Sequence, residues 1–406
     1  MPGPLTGLRV LDLSRILAGP WATQVLADFG AEVIKLERPG TGDDTRRWGP
    51  PYVRDAEGRD TGESAYYLAA NRNKRSVTVD FTTAEGQAIV RALVERADVL
   101  VENYKVGGLA KYGLDYLSLK RVNPGLVYCS ISGFGQDGPY AGRAGYDAVI
   151  QGMGGLMSIT GEPDGTPGGG PQKVGVAVVD LMTGMYAVSA ILAALRHRDA
   201  SGEGQFIDLA LLDTQVGFLA NQAMNYLVGG VVPQRQGTAH PNIVPYQAFA
   251  AADGYLMLAV GNDGQFARAA AVLGHPDWVQ DPRYATNAAR VAARAELIAL
   301  IGDVLRTRPK SEWLAAFEAA GVPASPVNDI AEVFADPQVA ARGLCFELAH
   351  PLAGTVPQVA NPVRFSATPV EYRHSAPLLG ADTEAVLGEL GFAAEAIAAW
   401  RAAEVI

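Results

Sequence analysis

The chain has 406 residues, 49% of them hydrophobic and 19% charged, which is material for a globular protein of two domains. Its formal net charge of −10 argues against a general nucleic-acid or membrane-surface binder, so an anionic ligand requires locally clustered Arg and Lys. Two cysteines, Cys129 and Cys345, cannot build a disulfide framework, and neither a CxxC pair, an HExxH nor a Cys/His cluster suggests a metal.

Met1 to Leu13 enters a strand pattern almost at once, leaving no room for a targeting peptide. No uninterrupted apolar run reaches membrane-span length, and the expectation is a cytoplasmic protein. Leu8–Leu13 reads as a strand, Trp21–Phe29 as a helix and Glu32–Leu36 as a strand. Ser76–Asp80 follows as a strand, Ala84–Arg96 as an amphipathic helix, and Val99–Val101, Val106–Tyr112 and Leu126–Ile131 continue the alternation. Short apolar strands alternating with helices predict a parallel, doubly wound α/β sheet.

After the Gly/Pro-rich loop Gly161–Pro171, the run Val174-Gly-Val-Ala-Val-Val-Asp180 reads as a buried strand. It delivers one carboxylate to a helix over Leu181–Leu195. Asp180 there can be an N-cap, its carboxylate accepting from first-turn amides, or a nucleophile that the same amides keep ionised. Gly175, Gly184 and Thr183 leave it sterically open.

Gln205–Leu212 predicts a strand running into a helix, and 229–246 is loop-rich, suited to a linker or lid. Gly254–Val260 reads as a strand, and Gln265–Leu273, Ala293–Arg306 and Ser311–Ala320 as helices of a smaller α+β unit. The C-terminal stretch carries Pro-rich turns and a final amphipathic helix. The expected organisation is a large domain from 1–205, a linker and active-site loop over 206–245, a small domain over 246–327, and a return to the large domain over 328–406.

The turn after the first strand lacks GxGxxG, and Leu17 and Pro20 occupy the space a pyrophosphate would approach, so Glu37 is a poor ribose acid and a dinucleotide site is disfavoured. Basic residues in neighbouring loops are more informative: Arg38, Lys74, Arg75, Lys105 and Lys111. Loops at strand carboxyl ends converge on one crevice in a doubly wound sheet, so these cations either serve a polyphosphate ligand or form a solvated rim. Tyr104 either stacks on a base or packs locally. With no GxSxG and no His near a candidate nucleophile, the chemistry falls to carboxylate and backbone.

An ordered series of motifs resembles the class III coenzyme A-transferases of CaiB/BaiF type, the family of formyl-CoA transferase. These are Leu11-Asp-Leu-Ser-Arg-Ile-Leu-Ala-Gly-Pro20, Gly30-Ala-Glu-Val-Ile-Lys-Leu-Glu-Arg38, Asn73-Lys-Arg-Ser76, Val101-Glu-Asn-Tyr104, Ile131-Ser-Gly-Phe-Gly135, Gly145-Tyr-Asp147 and the Asp180 segment. Gly49-Pro-Pro-Tyr52, Gly237-Thr-Ala-His-Pro241 and Pro377-Leu-Leu-Gly380 are most similar to the succinyl-CoA-dependent dicarboxylate transferases, such as the succinate–hydroxymethylglutarate enzyme.

The resemblance implies an interlocked homodimer with a Rossmann-like large domain, acyl-CoA and small carboxylic acids as substrates, and no permanently bound cofactor. It makes Asp180 the nucleophile of an aspartyl–acyl anhydride and an aspartyl-CoA thioester. It assigns CoA contacts to Arg38, Asn71, Lys74, Arg75, Asn103, Tyr104, Lys111 and Tyr146. Candidates for the acceptor or lid are Leu17, Arg46, Arg47, Arg235, Gly237, His240 and Tyr246, of which Arg47 and Arg235 serve equally as rim charges. Leu17 stands where formyl-CoA transferase has Gln, which disfavours oxalate, and Gly237–Pro241 holds the place of a mobile Gly-rich loop with fewer glycines. Two other readings stay open: a 2-methylacyl-CoA racemase, for which Tyr146-Asp147 replaces the His-Asp pair, and a non-catalytic acyl-CoA-binding protein.

Overall fold

A computed structural model describes residues 2–406. The chain forms two compact units, one from residues up to Leu156, Val174–Met224 and Gln338–Ile406, the other from Met157–Lys173 and Asn225–Pro337.

In chain order the first unit begins with β1 (Arg9–Asp12), α1 (Ala18–Asp28), β2 (Glu32–Glu37), the hairpin β3 (Tyr52–Arg54) and β4 (Asp60–Ser64), and α2 (Ala65–Leu68). There follow β5 (Lys74–Thr78), α3 (Ala84–Val94), β6 (Val99–Glu102), α4 (Tyr116–Leu119), β7 (Val127–Ser132) and α5 (Asp147–Met153). After α6 (Leu156–Ile159) come α7 (Val178–Ser201), β8 (Phe206–Ala210), α8 (Leu211–Gly217) and α9 (Ala220–Gly229). The stretch expected as linker, 206–245, thus includes a strand and two helices.

Six strands pair in the order β5-β2-β1-β6-β7-β8, every pair parallel. Alternation along each strand feeds two layers, because successive side chains leave opposite faces. Leu11, Ile34, Val77 and Leu100 meet Ile89, Val90 and Leu93 of α3 and the C-terminal helices. Val10, Val33, Val99 and Val101 meet Ala22 and Val25 of α1 and Val188 and Ile191 of α7. The chain reverses its direction of travel across the sheet between β1 and β6, and there the crevice at the strand carboxyl ends lies.

Two elements differ from expectation. Residues 174–177 form no strand: Val176 is exposed, and β7 already has β8 as its neighbour on that side. Helix α7 instead starts at Val178 and ends at Ser201, before Gly202 in the left-handed region at φ 78°. By length and composition α7 is apolar enough to cross a membrane, although it packs on α1, β7 and β8. Val106–Tyr112 yields only a 3-10 turn over Ala110–Tyr112, between Gly107 and Gly113 at φ 73° and 64°.

The second unit holds β9 (Tyr246–Ala251), β10 (Gly254–Ala259), α10 (Asp263–Val272), α11 (Asn287–Ala292), α12 (Arg294–Leu305), α13 (Lys310–Ala319), β11 (Ala324–Pro326) and α14 (Ile330–Ala335). Its antiparallel sheet runs β11-β10-β9 and buries Phe249, Leu256 and Leu258 against Phe266, Leu297, Trp313 and Phe317. After α15 (Pro337–Ala341) the chain returns to the first unit with the hairpin β12 (Cys345–His350) and β13 (Gly354–Val359). It closes with α16 (Thr383–Glu389) and α17 (Ala394–Ala402).

Candidate active site

A cavity of about 760 Å³ opens at the carboxyl ends of β1, β2, β5, β6 and β7. Its wall after β1 is strained. Ile16 sits at φ 72°, a conformation costly for a β-branched residue, and surrounding hydrogen bonds hold it there. The Ile16 amide donates to the Asp43 carboxylate at 3.2 Å, and Asn103 clamps Arg15 by accepting from its amide at 2.9 Å and donating to its carbonyl at 2.7 Å. Asn103 therefore shapes the wall that presents Arg15 and Leu17. Tyr104 also lines the cavity, edge-on to Phe81 at 5.5 Å. Beneath it, burial pushes the Glu102 carboxyl up to about 7, against the opposing hydrogen bonds from Ser130 and the Tyr104 amide.

Arg38, Arg47, Lys105 and Lys111 are exposed on the cavity rim, and Arg143 joins them. The first four were expected; Arg143, which lies 4.0 Å from the Tyr140 ring centre, carried no motif signal. The rim thus concentrates cations on an acidic protein, as a polyphosphate requires.

Four other expected ligands are spent elsewhere. Lys74 is fully buried, its ammonium donating to Asp12 at 3.0 Å, the Pro20 carbonyl at 2.9 Å and Asn71 Oδ1 at 2.9 Å. Asn71, also buried, donates to the Tyr67 carbonyl at 3.0 Å. Arg75 pairs with Glu32 at 3.0 Å and Glu389 at 2.8 Å. Lys74 and Arg75 stand at the amino end of β5, whereas the cavity opens at its carboxyl end. Arg46 is also buried, donating to Glu37 at 2.8 Å, to Glu63 at 3.0 Å and to the Tyr67 hydroxyl at 2.6 Å. Its charge is taken up by two carboxylates rather than an acceptor acid, and Glu37, so engaged, is no ribose ligand.

Asp180 lines the cavity with Leu17, Ser132, Gly133, Tyr146 and Leu211. It occupies the third position of α7 and caps nothing: the N-cap is Ala177, without a side-chain bond. The cap comes from Asp147, which the Gly145-Tyr-Asp147 motif marked without indicating this role. Its Oδ1 accepts from the Val179 amide at 2.8 Å and the Asp180 amide at 3.3 Å. Asp180 is therefore not held ionised by the helix amides. Burial, and then the charge of Asp147, raise its carboxyl to about 7. Gly184 does not open the carboxylate either. A Cβ there would stand 2.8 Å from the Ala18 carbonyl, so this glycine permits α7 to lie close on α1.

Gly133 and Gly145 bring Asp147 here: a Cβ on Gly145 would lie 2.5 Å from Gly133 Cα. This contact ties the loop before α5 to the end of β7.

Gly237, His240, Tyr246 and Arg235 belong to the second unit. Gly237 has φ 59° and donates its amide to the Gly161 carbonyl at 3.0 Å. His240 and Tyr246 rings are 5.4 Å apart, and Arg235 pairs with Asp164. Arg235 is thus already engaged by a carboxylate.

A parallel α/β unit whose switch-point cavity joins a cationic rim to the unpaired carboxyl of Asp180 has the form of a site for an anionic, phosphate-bearing substrate. The chain belongs to CoA-transferase family III, whose profile matches residues 5–383, and it is an enzyme of the CoA-transferase class. It is 56% identical over 387 residues to a succinate–glutarate CoA-transferase of Agrobacterium fabrum, covering 95% of this chain and 96% of that protein. It is 46% identical to human succinyl-CoA:glutarate CoA-transferase, covering 95% and 86%. The crystal structure of a CaiB/BaiF family protein from Brucella suis superposes with TM-score 0.84 at 52% identity, covering 96% of this chain and 100% of that one.

Proposed function

We propose that the protein moves CoA from succinyl-CoA to a short dicarboxylic acid, glutarate first among the candidates, with Asp180 as nucleophile. The observation that carries the reading is that Glu37, Asp43, Asp44 and Asp80 of the cavity lining are taken up by Arg46, Lys35, Arg15 and Thr82, whereas Asp180 faces a cavity whose rim holds Arg38, Lys105 and Lys111. The names of the relatives supply the donor and acceptor class.

In the first step an Asp180 oxygen attacks the thioester carbonyl carbon. The C–S bond breaks, giving a mixed anhydride and CoA thiolate. The thiolate then attacks the Asp180 acyl carbon, forming an aspartyl-CoA thioester and releasing succinate. The acceptor carboxylate reverses both steps. Donor, enzyme and acceptor are all carboxylic acids of similar basicity, so the thioester is conserved across the overall exchange, no proton has to be taken up and no hydrolysis is required. Arg38, Lys105 and Lys111 hold the CoA phosphates at the rim, and Tyr104 lies where the adenine can stack. The acceptor's second carboxylate falls to Arg47 in place of Arg46.

The protein works as a homodimer in this reading. Supporting it, α9 and the residues after it expose Leu227, Val228, Val231 and Val232, an apolar run unusual for a monomer surface.

Succinyl-, acetyl- and glutaryl-CoA tested against C2–C6 acids, with product masses, assigns donor and acceptor. Asp180→Ala should abolish exchange, and hydroxylamine should leave a hydroxamate at Asp180 in the wild type. Solvent deuterium entering the α-carbon of a branched acyl-CoA would instead support the racemase reading. CoA binding without turnover on any acid would leave a binding protein.

A further inference from the structure

We infer that Asp147 is a positioning residue for the transfer reaction: it aims Asp180 into the cavity and, by its charge, favours the acylated over the free form of that carboxyl. This rests on Asp180 being the nucleophile.

The geometry is a bracket. One Asp147 oxygen receives the Val179 and Asp180 amides, fixing the first turn of α7. The other receives the Gln151 side-chain amide at 2.6 Å, and Gln151 Oε1 in turn accepts from the Val174 amide at 2.9 Å. Asp147 and Gln151, four residues apart on α5, thereby hold the irregular stretch 174–177 at its start and the first turn of α7 that carries Asp180. A carboxyl at that site would otherwise be the natural partner of the free first-turn amides. With Asp147 in their place, Asp180 stays uncapped and available to an acyl group.

The second consequence is electrostatic. The charge that acts on Asp180 is that of another carboxylate, and burial and Asp147 together place its titration near 7. Repulsion destabilises the free carboxylate but not the anhydride or the thioester, because acylation removes the charge on Asp180. Asp147 thus raises the fraction of enzyme carried as covalent intermediate and makes the Asp180 oxygen more basic, hence more nucleophilic.

No cation relieves this pair from the elements packed on α7. α1 offers Asp28, which is bound to Arg72; α8 offers Asp213, exposed; β8 offers Asp208, which accepts from the Gln136 amide; β7 offers Tyr128 and Cys129, whose protons burial retains. On α2, Tyr66 is kept protonated by burial and by the charges of Asp180, Asp147 and Asp43.

Asp147→Asn tests the idea: asparagine keeps the one oxygen that caps α7 and carries no charge, and because its amide nitrogen cannot accept from Gln151, the loss of that bond is controlled by Gln151→Ala. In the wild type the acid limb of kcat/KM should fall near 7. In Asp147→Asn it should move about one pH unit or more towards acid, and the hydroxylamine-trapped fraction at Asp180 should fall about tenfold. Gln151→Ala loosens the bracket and keeps the charge, so kcat should drop about 10- to 100-fold with the limb unmoved. An Asp147→Asn enzyme that folds, with limb and trapped fraction as in the wild type, overturns the proposal. Failure of the nucleophile reading looks different: no Asp180 hydroxamate in the wild type and transfer retained by Asp180→Ala, in which case Asp147 is only a helix cap.

Discussion

Asp180→Asn should stabilise the protein, and increasingly so as pH rises. In the unfolded chain this carboxyl ionises at its ordinary value of 3.8, whereas burial and the adjacent Asp147 hold it to about 7 in the fold. Between those values the native state binds more protons than the unfolded one, so stability falls as pH rises through this window and the full cost is reached above 7. At about 1.4 kcal/mol per pH unit, the gap is worth about 4 kcal/mol at most. Asp180 keeps contact with the cavity, so roughly half of that, about 2 kcal/mol, is the working figure. The amide variant has the same shape and no charge, and escapes the cost. Guanidinium unfolding of both proteins at pH 5 and 8.5 gives the measurement. The advantage of the variant should be larger at pH 8.5 by about 1–2 kcal/mol. An equal advantage at both values would refute the account of how Asp180 is tuned, and so would a variant less stable than wild type at pH 8.5.

Arg38→Ala and Lys111→Ala should each raise KM for acyl-CoA about 3- to 10-fold with kcat little changed, an effect that shrinks in added salt, as initial rates at two ionic strengths will show. Lys74→Met leaves Asp12 buried beside Lys35 alone, and should cost about 3–5 kcal/mol in urea unfolding without any specific loss of CoA affinity in the protein that remains folded. Gly145→Ala drives a Cβ into Gly133 and displaces the loop that carries Asp147, so kcat should fall by about 100-fold while the melting temperature drops only modestly.

Much of the first unit is legible in the sequence. Runs such as Val10-Leu11 and Val99-Leu100-Val101 contain the two-sided burial of a parallel strand, and helix and strand periods alternate at the spacing of a doubly wound sheet. Arg38 and Lys105 just past strand ends are equally readable, because their placement depends on local position. The strand drawn at 174–179 was not, since a short Val-rich run has the same apolarity whether it meets a sheet or stands exposed ahead of a helix, as Val176 does.

The sequence by itself determined the layers, the order of loops around the crevice and the presence of Asp180 near a set of cations. Tertiary structure decided which cations remain free and what state that carboxyl holds. Lys74 and Arg46 look like phosphate and acceptor ligands until Asp12 and Glu37 are brought beside them across the sheet and consume their charge. Asp147 lies 33 residues from Asp180, and only the Gly133–Gly145 contact and the packing of α5 on α7 place it at the helix end. Charge and hydrogen bonding act through space over a few ångströms, while the chain specifies only neighbours along itself. That is why Asp180 could be singled out along the chain and its protonation could not.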